Sequence, residues 1–302
     1  MIWCSGWELA SAVSNAGGLG LIGSGSMYPE ILRSHIRKCR AATNSPFGVN
    51  VPLLYPDVDK QLQVIIEENV KIVFTSAGNP KTYTSMLQSH GIRVAHVVSA
   101  VKFARKAEES GADAVVAEGF EAGGHNGRDE TTTMVLIPQV RDAIKLPLIA
   151  AGGIGCGRQM AAAFALGADG VQVGSRFVAS VESSAHPDFK QAVVSAGEGD
   201  TQLTLKQLTP VRLIKNKFYE EVTEAEKRGA SVEELRELLG RARAKRGMFE
   251  GNLLEGELEI GQVSSAINDI QHAADILNEL YAGFENTLNR LRDLTAGDYN
   301  NQ

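Results

Sequence analysis

Short apolar runs, rich in β-branched residues, recur along the first two thirds of the chain and alternate with amphipathic stretches. Residues 19–22, 47–53, 71–75, 93–98, 114–117, 147–150 and 170–173 read as strands, because continuous apolar runs of this length mark parallel strands covered on both faces. The stretches between them have readable ends. Asn79-Pro80 places an N-cap before a proline at the first helical position; one helix opens at Ser99 and stops at Gly111, and another runs from Gly157 to Leu166 and stops at Gly167. Such alternation implies a parallel sheet with right-handed crossovers. Gly111-Ala112-Asp113 and Gly167-Ala168-Asp169 repeat one helix-to-strand joint, and repeated βα units favour a (β/α)8 barrel over an open sheet.

Only these seven strands are found, and the chain opens on a helix. Ser5-Gly6-Trp7-Glu8 has capping-box spacing, and Leu9, Ala12, Val13 and Ala16 form an apolar stripe ending at Gly17-Gly18. A closed barrel needs a strand ahead of that helix, where only residues 1–4 stand. The expectation is an α/β fold, a (β/α)8 TIM barrel lacking its first strand through a start placed downstream of it. The alternative is an unclosed edge between the last strand and residues 19–22. After Phe177 the alternation stops: 212–246 and 261–291 are charged and helix-rich, Ser231-Val232-Glu233-Glu234 is a second capping box, and 247–261 is a glycine-punctuated link. This divides the chain into a barrel over 1–210 and a helical extension or cap over 211–302, with 296–302 frayed.

Composition narrows the class. With 302 residues, 43% hydrophobic and 22% charged, the chain is an ordinary globular protein, and its net charge of −6 argues against nucleic-acid or anionic-membrane partners. No apolar run reaches membrane-spanning length, and the N-terminus lacks the cationic region of a secretory signal. Three cysteines, Cys4, Cys39 and Cys156, form no C-x-x-C pair and fit a reduced, cytoplasmic setting. Cys156 reads as a small space-filler, and no cluster has metal-ligand spacing.

The candidate chemistry lies at strand ends. Ala117-Glu118-Gly119-Phe120-Glu121-Ala122-Gly123-Gly124-His125-Asn126-Gly127 puts a histidine in a glycine-rich loop behind a strand. Two further strands end Ala151-Gly152-Gly153 and Val173-Gly174-Ser175. Glycine lets backbone N–H groups approach a ligand closely, and in a barrel phosphate is held after the last two strands. An imidazole beside two phosphate cradles points to a cofactor enzyme. Of the other histidines, His35, His90, His186 and His272 read as surface or packing residues, with His96, on a strand, kept as the one to watch.

These residues resemble the FMN-dependent nitronate monooxygenases, formerly 2-nitropropane dioxygenases, and the related FMN-dependent enoyl-acyl-carrier-protein reductases of type II. The likeness runs over nearly the whole chain and is carried by Gly48-Val49-Asn50, Thr75-Ser76-Ala77-Gly78-Asn79-Pro80, Glu121-Ala122-Gly123-Gly124-His125, Ala151-Gly152-Gly153-Ile154 and Gln172-Val173-Gly174-Ser175-Arg176-Phe177. Met1 resembles the methionine of the Gly-Gly-Met that ends the family's first strand. The resemblance implies FMN bound by Met1, Asn50, Thr75, Glu118, Gly123, Gly124 and Gln172, a phosphate cradle of Gly152, Gly153, Val173, Gly174 and Ser175, and His125 as the catalytic histidine.

Two reactions follow from the resemblance. The first, favoured on family frequency, is oxidation of alkyl nitronates with O2 to a carbonyl compound and nitrite, His125 holding the anion or taking an α-proton. The second is reduction of enoyl thioesters with NAD(P)H through FMN, for which Glu118 speaks because the reductases carry Glu there and the monooxygenases often Gln. That reading adds an acyl carrier protein as partner, with Arg241, Arg243, Lys245 and Arg246 as a docking face. A homodimer is compatible with either. A third alternative is a truncated, non-catalytic barrel.

Overall fold

A computed structural model describes residues 1–297, with side chains to residue 294. Strands β1 (Gly20–Gly23), β2 (Phe47–Pro52), β3 (Ile72–Ser76), β4 (Arg93–Val98), β5 (Ala114–Glu118), β7 (Leu148–Ala151) and β8 (Gly170–Gln172) form one sheet in that order. Every pairing in it is parallel. Helices connect the strands and the sheet curls into a TIM-barrel-like α/β fold, as expected. Among the described residues the barrel stays open between β1 and β8. Met1 lies at the upper end of that opening: a Cβ on Gly23, closing β1, would stand 2.7 Å from Met1 O, and one on Gly174, just past β8, 3.8 Å from its Sδ.

Side chains alternate across each strand. One set, including Val49, Val51, Val73, Val94, Val115, Ala117, Leu148 and Ala150, is buried beneath the surrounding helices. The other set, Phe74, Ala95, Val116 and Ala151 with Leu21, Ile72, Val97, Ala114 and Ile149, fills the barrel interior. Each fully buried valine or leucine contributes roughly 1.5–3 kcal/mol, so both faces are held by apolar burial. Register then decides what reaches the barrel mouth. Asn50 is level with Phe74, and Glu118 is level with Ala151 and Gln172, so these polar residues stand on the interior face at the strand C-termini.

The repeated Gly-Ala-Asp joint has a physical reason. Gly111 (φ 79°) and Gly167 (φ 102°) end their helices in the left-handed region. The aspartate that follows clamps the neighbouring strand: Asp113 accepts from Val94 N and Asp169 from Leu148 N, each at 2.8 Å. Other expected ends shift. Ser5 Oγ donates to Leu21 O at 2.6 Å, leaving Gly6 to cap the helix Trp7–Asn15 with no side-chain bond. That helix buries Leu9 of the expected stripe, with Ala12 and Val13 half-buried beside it, and also Ala10, Ser11 and Ser14, whose Oγ donates to Pro46 O. The helix expected from Ser99 begins at Val101, and Asn79 caps a single 3-10 turn, Pro80–Thr82, ahead of the helix Thr84–Ser89.

Beyond Phe177 the structure adds strands to the helix-rich segments that were expected. Strands β9 (Thr201–Thr204) and β10 (Val211–Ile214) pair antiparallel, and β10 also pairs with the two-residue β6 (Gly124–His125). The expected boundary at 210 thus falls between two strands of one sheet. The helices Lys217–Lys227, Val232–Leu239, with Ser231 and Glu234 forming the expected capping box, and Ala273–Gly297 complete the extension. Of the tail expected to fray, 298–302 lie outside the described residues. No helix among the described residues is long and apolar enough to cross a membrane.

Candidate functional site

His125 owes its place to residues far along the chain. Its strand β6 is level with Val211 and Arg212 of β10. Arg212, 1% exposed, donates from Nε to Phe120 O at 3.2 Å and lays its guanidinium over the Phe120 ring at 4.5 Å. At the other end of the loop, the Glu121 carboxylate accepts from Thr133 N and Oγ1 at 2.9 and 3.0 Å. A third restraint comes from the link before residue 262: Gln262 N donates to Glu121 O (2.9 Å), and Gly261 N to Ser175 Oγ (3.0 Å). A Cβ on Gly123 would lie 2.4 Å from Ile260 C, and one on Gly124 2.6 Å from Glu259 Oε2. These two glycines, expected at the cofactor, admit the returning segment, and the Ser175 hydroxyl is likewise engaged by it.

A cavity of about 320 Å³ opens beside His125. Its lining is apolar at Ile2, Trp3, Leu205, Leu208, Val211 and Leu239 and polar at His125, Tyr55, Glu257, Glu259, Arg243 and Lys245. Among the expected site residues, His125 alone lines it. Burial pushes the Glu257 carboxyl up to about 8, aided by the charge of Glu259.

Asn50, Glu118 and Gln172 gather at the barrel mouth instead. Asn50 Nδ2 lies 3.5 Å from Ser76 Oγ. Burial raises the Glu118 carboxyl to about 7, against a lowering by the amino group of Met1. Gln172 Oε1 is buried with no hydrogen-bond partner among the described residues. Beside them Gly174 holds an ordinary backbone (φ −107°) with only Met1 near its missing Cβ. Gly152 (φ 91°) and Gly153 (φ 69°) are left-handed, and a Cβ on Gly152 would lie 2.7 Å from Gly119 O. The Val173 side chain is half-buried in the apolar cluster with Leu9 and Phe177.

Thr75 is not brought into this group. It is level with Val51 and His96 and so faces the helices, where its Oγ1 lies 2.7 Å from His96 Nδ1. His96, 3% exposed, is lowered to about 4 by burial and is thereby a neutral core residue. The interior position in that motif belongs to Ser76. His35 accepts from Trp7 N at 3.1 Å, and His272 lies 3.0 Å from Glu182 Oε1; both are structural contacts.

The family model described as nitronate monooxygenase matches residues 1–61 and 56–283. The chain belongs to the nitronate monooxygenase family. A probable nitronate monooxygenase of Bacillus subtilis is 33% identical, with 90% of each chain covered. FabK from Thermotoga maritima has a TM-score of 0.93 and 43% identity, covering 97% of this chain and 93% of that one. A Rhodococcus jostii protein, (3aS,4S,5R,7aS)-5-hydroxy-7a-methyl-1-oxo-octahydro-1H-indene-4-carboxyl-CoA dehydrogenase, is 37% identical over 68% of this chain. The match spans 58% of that relative, less than two thirds of its length. The names of these relatives, a monooxygenase and a dehydrogenase, are those of oxidoreductases.

Within the family frame, the sequence reading missed Tyr55, Ser76, Glu257 and Glu259. The last two had a visible signal: Glu255-Gly256-Glu257-Leu258-Glu259-Ile260 alternates charged and small or apolar residues as an extended segment would.

Proposed function

We propose that this protein is an FMN-dependent reductase of enoyl thioesters, with nitronate oxidation as the second reading. Residues at the barrel mouth fit a flavin: Gln172 Oε1 is a buried acceptor awaiting a donor, and the space at Gly174 is one a side chain would fill. Asn50, Glu118 and Gln172 would line the ring, and Gly152, Gly153 and Gly174 would leave room for the phosphate. When bound, FMN supplies hydride chemistry, with a nicotinamide as the source of electrons.

The observation that carries the reductase reading is the cavity beside His125. An alkyl nitronate fills a small part of about 320 Å³, whereas a thioester-borne chain can lie along Leu205, Leu208 and Leu239 with its reactive end at His125. Trp3 and Ile2 add apolar surface to the same lining. His125 orients the thioester carbonyl and gives a proton to the α-carbon. The similarity to FabK, an enoyl-acyl-carrier-protein reductase of type II, supports the same order. An acidic carrier would meet Arg241 and Arg246, which are exposed. Arg243 is taken up by Leu238 O, Leu239 O and Glu255 O, and Lys245 by Glu250. The family model and the Bacillus relative keep nitronate oxidation as the alternative.

An anaerobic visible spectrum of the FMN-loaded protein tests the choice. Bleaching by NADH or NADPH, with recovery on adding an enoyl thioester, is expected. Bleaching by ethyl nitronate but by neither nicotinamide would replace the reductase with a monooxygenase. Failure to bind flavin would point to the non-catalytic barrel.

A further inference from the structure

Strands β9 and β10 are joined by the turn 205–210, and Leu205 and Leu208 of that turn line the cavity beside His125. Leu208 N donates to Leu205 O at 2.9 Å, which closes the turn. Leu205 is held in the left-handed region (φ 55°) and is fully buried in the core cluster of Val211, Leu213, Phe218 and Val222. A bulky side chain is disfavoured in that conformation, which persists only where the surroundings over-determine it. Leu208 and Leu239, both half-buried, pack against the same cluster. Trp3 and Ala242, each at φ 61°, are likewise left-handed, and both line this cavity.

The turn is tied to the chain that follows His125. Arg128 donates from Nη1 to Lys206 O at 2.9 Å and from Nη2 to Leu208 O at 2.6 Å. Asn126 N donates to Pro210 O at 2.8 Å, and Lys206 pairs with Glu130. Together with the pairing of β6 and β10, these bonds fix where the two leucines stand relative to His125. Arg128 is exposed, so its bonds answer no buried need; a guanidinium fork here holds two backbone carbonyls at once. Arg243 does the same for the helix end that carries Leu239, bonding Leu238 O and Leu239 O.

We propose that the turn 205–210 selects substrates by the length of their apolar tail, and that Arg128 is the residue that positions it. This deepens the reductase reading and rests on it: the tail is the acyl chain of an enoyl thioester whose reactive end lies at His125. Such a chain leaves water for Leu205, Leu208 and Leu239, and each methylene so buried tightens binding about fourfold. A short tail reaches fewer of these groups. Selection is thus made by the extension, in a part of the molecule that contributes no strand to the barrel.

Titration with two saturated thioesters of N-acetylcysteamine, butanoyl and octanoyl, tests this without turnover. Trp3 lines the cavity, so the fluorescence of the flavin-free protein reports their binding. The octanoyl thioester should bind at least about tenfold tighter than the butanoyl one. Leu208→Ala and Arg128→Met should each shrink that ratio by about threefold or more. Arg128→Lys, which can still donate to one carbonyl, should restore part of it. Arg128 is a surface residue and its methionine variant should fold; a merely structural arginine would lower stability in urea without moving the ratio. The proposal is overturned if the unsubstituted protein binds both thioesters alike or neither, or if either variant leaves the ratio unchanged. Should the ratios behave as expected while the anaerobic flavin spectrum selects nitronate oxidation, the tail belongs to a long-chain nitronate. The turn then keeps its role and the reductase reading falls.

Discussion

The histidines of β4 and β6 are opposite in physics. His96 stands on the helix-covered face, neutral, bonded to Thr75 and closed off from solvent. His125 stands exposed on a two-residue strand that its own barrel does not hold, facing a cavity and two raised carboxyls. The same division separates Thr75 from Gln172: one buried oxygen is paired, the other is not. The paired oxygen belongs to the helix-covered core, and the unpaired one stands at the barrel mouth.

The comparison can be broken at several points. His125→Ala should leave flavin content intact and lower turnover by about a hundredfold or more; rates within a few fold would move the chemistry elsewhere. Gly174→Val should fold, since its backbone suits any residue, yet lose about tenfold or more in FMN affinity, read by flavin titration. Normal affinity would separate Gly174 from the phosphate.

Glu118 gives a pH effect. Its folded value, about 7, exceeds the ordinary 4.5, so the folded chain binds the proton more tightly. The flavin-free protein should therefore lose stability as pH rises between those values, and Glu118→Gln should flatten part of that slope in urea titrations. An identical slope in the variant would deny the burial. The smallest change is expected at Thr75→Val, which removes the His96 partner: a loss of about 1 kcal/mol with turnover unchanged. A large loss of turnover there would erase the distinction between the two faces.

How much of this was legible in the sequence follows the range of the interactions involved. The parallel strands were readable within a residue or two, because each buries both faces and so carries an apolar run of its own. Strands β9 and β10, Thr-Gln-Leu-Thr and Val-Arg-Leu-Ile, were not, since each is four residues long and carries polar side chains. Thr75 was misplaced because motif resemblance does not say which way a side chain points, whereas strand register does. The space a side chain would need at Gly123 and Gly124 is taken by Ile260 and Glu259, a contact between residues far apart in the sequence. Glu257 and Glu259 were passed over because only the fold brings them to the cavity that His125 lines.

The pairing of β6 with β10 also sets a schedule for the protein's birth. A ribosome making this chain releases the histidine loop long before residues 211–214 and 257–261, which pin it. The barrel strands can assemble in order as they emerge, but His125 has no fixed seat until most of the extension has followed. A nascent chain thus holds its histidine loop unpinned by β10 while its barrel is already taking shape.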